Sequence, residues 1–192
     1  MKKNINQILD NKNNIKNYFL HFLLLLSFLL RFLSAYFIRD TNFDNEWNVL
    51  LDNLIEYKSY SFYTFNGELI PSALLPPVYP FFIYLVKITT SIDKTNLLYA
   101  IIFIQILFST YSIYLFFQIN RNFFSEKLSI INSTIFSIIP LNIINCGQIS
   151  SITLQIFLSL LFLKFLFLIL NKQTVKNILI FSITSGLLIL TR

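Results

Sequence analysis

Of the nine carboxylates in this 192-residue sequence, six fall between Arg39 and Pro80: Asp40, Asp44, Glu46, Asp52, Glu56 and Glu68. Only Arg39 and Lys58 oppose them in that stretch. A carboxylate held at a water–lipid border can take a proton from an acceptor hydroxyl or amine. Asp44 is the residue best placed to do so, because it opens an amphipathic segment. From Asp44 to Tyr57, apolar residues stand at Trp47, Leu50, Leu51, Leu54 and Ile55, the spacing of one helical stripe. At that position Asp44 can equally be an N-cap, its carboxylate accepting backbone N–H groups. Spacing alone leaves both roles open. Glu46 points elsewhere on the same helix and reads as solvated surface.

Other reactive groups are scarce. The single histidine, His21, sits in an apolar run, so histidine catalysis is not expected. The single cysteine, Cys146, excludes an intrachain disulfide and a cysteine-based metal cluster. Past the acidic stretch comes Leu75-Pro76-Pro77-Val78-Tyr79-Pro80. Its prolines fix φ and remove donors, which predicts an extended entry into a helix beginning at Pro80.

The elements that must carry these residues are membrane helices. Hydrophobic residues make up 55% of the chain and charged ones 12%, with a mean hydropathy of +0.65. Soluble domains carry about a quarter charged residues, and a water-soluble monomer cannot hide this much apolar surface. The expected fold is all-α, a polytopic helix bundle of four full spans and a truncated fifth, with two interfacial helices in the first external loop. The first span is Tyr18 to Ile38, about 32 Å as a helix, and no cleavage site follows it. Leu97 to Phe117 is span-length. Leu128 to Leu170 is too long for one crossing, and Pro140, Asn142, Asn145, Gly147 and Gln148 divide it into two helices with a tight turn. A last apolar stretch starts at Ile178.

Charge sets the orientation. Lys2, Lys3, Lys12 and Lys16 precede the first span against Asp10 alone, which puts residues 1–16 in the cytoplasm as a basic tail. The acidic loop, 39–96, then lies outside. Val78 to Ser91, short and carrying Lys87, is expected not to cross. That choice gathers Arg121, Lys127, Lys172 and Lys176 on the cytoplasmic side and lets Lys164 snorkel. The net charge of +6 is therefore a cytoplasmic collar, and no nucleic-acid partner is expected.

A first span, Asp44-Asn45-Glu46-Trp47 on an interfacial helix, Pro-Pro-Val-Tyr-Pro and then serial spans resemble one family in their order. It is the N-terminal part of the polyprenyl-phosphate-sugar-dependent glycosyltransferases of the GT-C fold, the protein mannosyltransferase and aminoarabinose transferase type. The ending Gly186-Leu-Leu-Ile-Leu-Thr191-Arg192 resembles a later span, and the likeness covers residues 17 to 192. It implies transfer of a sugar from a polyprenyl-phosphate donor to a lipid, glycan or protein acceptor, at the outer face of the plasma (inner) membrane and among its lipids. By position the catalytic role falls on Asp44, with Glu46 the alternative. Pro76, Pro77 and Tyr79 form the substrate loop. Leu75 stands where many relatives have a cation before the prolines, so the donor phosphate would be met by Arg39 or Arg31; Lys58 reads as surface. Trp47 replaces a tyrosine. The turn 145–151 lacks the acid of many relatives, Gln148 being its polar substitute; no cofactor is implied, and a divalent metal is left open.

Two other classes remain as alternatives, a transporter or flippase subunit and a non-catalytic membrane scaffold. Transporters use Gly/Pro-broken helices and repeated halves, whereas this chain has three glycines and no visible repeat. The last span has about 15 residues, short of the roughly 20 required. The chain is therefore expected to be an N-terminal piece of a longer protein, inactive alone.

Overall fold

The computed structural model describes residues 2–41, 43, 46–65, 68–71 and 75–191, with the backbone alone for 2–17 and 63–65. Asp44, Asn45 and Gly67 lie outside the described residues. Among the described residues eight α-helices follow one another: α1 (Lys2–Ile38), α2 (Glu46–Glu56), α3 (Val78–Thr90), α4 (Lys94–Asn120), α5 (Glu126–Ser137), α6 (Pro140–Ile144), α7 (Ile152–Asn171) and α8 (Val175–Ile189). A 3-10 turn, Asn145–Gly147, joins α6 to the approach of α7. Residues 18–38 of α1, α4 and α7 are each long and apolar enough to cross a membrane. The pair α5 and α6 passes that test together but bends by 64°.

This is a membrane-type helical bundle, and it differs from the sequence expectation in three places. Strands β1 (Ser61–Phe65) and β2 (Glu68–Pro71) form an antiparallel hairpin between the two interfacial helices, where no strand was expected. Aromatic and β-branched residues in Ser61–Phe65 favour an extended chain. Asn66 and Gly67, between the strands, are a preferred pair for two-residue hairpins. Second, α3 begins at Val78 rather than Pro80. Pro80 fits at its third position because the first helical N–H groups have no intrahelical partner. Third, the interruption near Pro140 is a bent half-helix rather than a tight turn.

Helix α4 is the hub. It packs on α1, α3, α5 and α7, and buries residues along nearly its whole length. Its 27 residues rise about 40 Å, more than the roughly 30 Å apolar thickness of a bilayer. Helix α5 meets it through small residues: Ser129, Ser133 and Ser137 are all buried at four-residue spacing. Such a stripe lets backbones approach where lipid gives no hydrophobic drive. Each hydroxyl donates back to a carbonyl of its own helix, so none is stranded.

The two ends of the bundle differ. Gly147 packs against Ala35 and Arg39 at the far end of α1, and the C-terminal part of α8 meets α3 through the Val78 N–H donating to the Leu190 carbonyl. This is the acidic end. Arg121, Lys127, Lys172 and Lys176 cluster at the other, basic end, beside the start of the first apolar stretch.

Candidate active site

Helix α2 lies on the acidic end with one face down. Trp47, Leu50, Leu51 and Leu54 are buried, while Glu46 and Glu56 are exposed. The Trp47 ring meets Tyr79 of α3 edge-on, with centroids 5.1 Å apart. Tyr79 is itself fully buried and donates its hydroxyl to Gln105 Oε1 of α4 at 2.9 Å. Gln105 Nε2 in turn donates to the carbonyls of Cys146 (3.2 Å) and Gln148 (2.8 Å). One aromatic contact and three hydrogen bonds thus tie the start of α2 to α3, α4 and the 3-10 turn. Burial raises the Tyr79 pKa far above the ordinary phenol value, and the Asp40 charge adds to that rise. Tyr79 therefore acts here as a neutral donor.

The six acidic side chains separate by role. Asp40 is structural: its Oδ2 accepts the Ile149 N–H at 2.7 Å and its own N–H donates to the Gly147 carbonyl at 3.0 Å. Asp52 pairs with Lys94 at 2.8 Å, an exposed ion pair of small energetic weight. Glu46, Glu56 and Glu68 have no ion pair among the described residues. Glu46 stands in the first turn of α2, where the helix dipole favours a negative charge. Asp44, expected as cap or base, falls outside the described residues two positions before it.

The cations separate as well. The half-buried Arg39 guanidinium lies over the Tyr99 ring, 4.9 Å from its centroid. It donates to the Tyr36 carbonyl and the Tyr99 hydroxyl, both at 3.3 Å, and has no carboxylate partner among the described residues. Arg31 is fully buried and does not snorkel. Its Nε donates to Ser109 Oγ at 2.7 Å, and one terminal nitrogen donates to the carbonyls of Ser27 and Ser137, each at 3.2 Å. Ser109 Oγ donates onward to the Asn142 carbonyl at 3.2 Å. Ser137 closes α5, so Arg31 supplies donors where the helix break leaves carbonyls without intrahelical partners. Its positive charge also faces the negative end of the helix dipole. Lys58, read as surface, is exposed.

The proline loop is held from both sides. The Tyr60 hydroxyl donates to the Leu75 carbonyl at 2.7 Å, and its ring stacks on Phe81. Gln148, the polar substitute in the turn, donates its Nε2 to the Ile38 carbonyl at 2.8 Å. Among the described residues no three His, Cys, Asp or Glu side chains converge as a metal site. Sequence reasoning passed over Gln105, although Gln105, Ser109 and Ser112 form a readable polar stripe at helical spacing within an apolar span. Comparison with protein-family models, curated proteins and solved structures finds no match for this chain.

Proposed function

We propose that this chain works in a membrane glycosyltransferase of the GT-C type, with the acidic end as its reaction face. The observation that supports this reading is the anchoring of the α2 start. Trp47 packs on Tyr79, and Tyr79 bonds to Gln105 of a spanning helix, so the first turn of α2, where Glu46 stands, is held at a fixed height on the bundle. A general base needs fixed placement more than it needs a shifted pKa. In this reading Asp44 takes the proton from an acceptor hydroxyl or amine, with Glu46 the alternative base. The acceptor atom bonds to the anomeric carbon as the bond from that carbon to the phosphate oxygen breaks. Polyprenyl phosphate leaves with the electron pair. Its developing charge is met by Arg39, a cation of this end without a carboxylate partner among the described residues. Arg31 is fully buried and spends its Nε and one terminal nitrogen at the helix break, so the exposed end falls to Arg39. Pro76, Pro77 and Tyr79 hold the substrate loop against the spans. The N-terminus is cytoplasmic in the plasma membrane, and the acidic end faces outward.

A second reading, a transporter or flippase subunit, draws support from the bent α5–α6 pair beside a buried arginine, since transporters use broken helices near their sites. Here most of the Arg31 donors are already used within the bundle, which suits a structural joint. Membranes carrying the full-length gene product, supplied with a polyprenyl-phosphate-linked labelled sugar, distinguish the two. Label entering a membrane acceptor is the expected result. Movement of the intact donor across the bilayer without transfer would overturn the proposal.

A further inference from the structure

The basic end carries a feature that sugar transfer does not use. Leu107, Tyr111, Tyr114 and Gln118 of α4 and Arg121, its helical C-cap residue, are spaced by four or three residues, so they stack in one stripe. Going toward the basic end, this stripe passes from aliphatic to phenol, amide and guanidinium. A lipid passes from chain to headgroup in the same order. The stripe lines a groove of about 800 Å³ together with Leu20 and Leu24 of α1 and Phe157 of α7. Leu107 to Arg121 spans about 21 Å of helix axis. That covers one leaflet of a bilayer whose apolar thickness is roughly 30 Å.

Charge decides what fits. The Arg121 guanidinium is exposed, lies 5.9 Å from the centroid of the Phe117 ring, and has no carboxylate partner among the described residues. Among the described residues no Asp or Glu lines the groove, so an ammonium headgroup meets no carboxylate there. Lys127, Lys172 and Lys176 add positive charge at the same end, against Glu126. Clustered basic residues beside spanning helices attract anionic lipids.

We propose that this groove holds one anionic phospholipid, its phosphate on Arg121 and one acyl chain along Tyr111 and Leu107. The site is at the opposite end from the candidate active site and stands whether or not the chain transfers sugar. Native mass spectrometry of the full chain, released from nanodiscs of equal phosphatidylglycerol and phosphatidylcholine, tests it. The wild type is expected to retain one phosphatidylglycerol in preference to phosphatidylcholine. Arg121→Gln should cut that retention about fivefold, the weight of one basic residue near an anionic surface. Lys176→Gln removes the same charge outside the groove and should lower retention clearly less than Arg121→Gln does. Leu24→Trp narrows the groove with its charges intact and should reduce retention, with helix content by circular dichroism checking that each variant folds. Equal retention of both lipids by the wild type, unchanged retention in folded Arg121→Gln or Leu24→Trp, or an equal loss in Lys176→Gln would overturn the proposal.

Discussion

Arg31 shows how far a residue's role can lie from its local sequence. Within α1 it is an isolated cation about two turns from the helix end, the pattern of a snorkelling side chain. Its main partner outside α1 and α4 is the carbonyl of Ser137, 106 residues further along the chain. Nothing in α1 announces that a helix will break there. The consequence is testable through the only cysteine. Cys146 is fully buried next to the break, its thiol donating to the Ile143 carbonyl. It should resist a water-soluble maleimide. Arg31→Leu leaves the Ser137 carbonyl without its donor, at about 1–3 kcal/mol per buried group left unpaired. Local opening should then speed Cys146 labelling, by about tenfold for each ~1.4 kcal/mol lost. Equal labelling rates would show that Arg31 does not hold the break. The neighbouring chemistry was more legible: the apolar stripe announced α2 and the burial of Trp47, Leu50, Leu51 and Leu54, though Ile55 of the same stripe is exposed. Asp44, whose choice between cap and base spacing left open, falls outside the described residues.

Among the elements, those with strong periodicity were the readable ones. The first span, α4 and α7 follow from apolar length, and α3 from its short apolar run after the prolines. The hairpin at 61–71 was missed because its sheet has only two strands and no apolar alternation long enough to stand out. The form of the α5–α6 joint was missed because it depends on a close approach that sequence does not display. Gly147 makes that approach: a methyl group added there would lie 3.3 Å from the Ala35 Cα and 3.4 Å from the Arg39 Cα. Both neighbours are backbone atoms that cannot swing aside. Gly147→Ala should therefore push the turn off α1, loosening the bonds between Asp40 and residues 147–149. Overpacking of this kind costs about 1–3 kcal/mol. A lower thermal unfolding midpoint in detergent is expected; an unchanged midpoint would show that the contact yields freely.

For the molecule as a whole, the geometry of the ends agrees with a simple serial path. Helix α1 runs from the basic to the acidic end and α4 returns. The α5–α6 pair carries the chain back to Gly147 beside Arg39, α7 ends near Gln118 and Asn122, and α8 ends at Val78. On this path α3 lies at the acidic end, so the loop after α4 shares a side with the N-terminus. A reporter fused after Asn122 should register in the cytoplasm, and an external signal would reverse the orientation and move the candidate site to the wrong face. The central claim is that a carboxylate at the start of α2 does the chemistry of sugar transfer. Transfer of labelled sugar from a polyprenyl-phosphate donor, compared between the full-length wild type and Asp44→Asn at equal membrane insertion, tests it most directly. Loss of transfer with insertion intact is the predicted result, and transfer retained at the wild-type rate would contradict it.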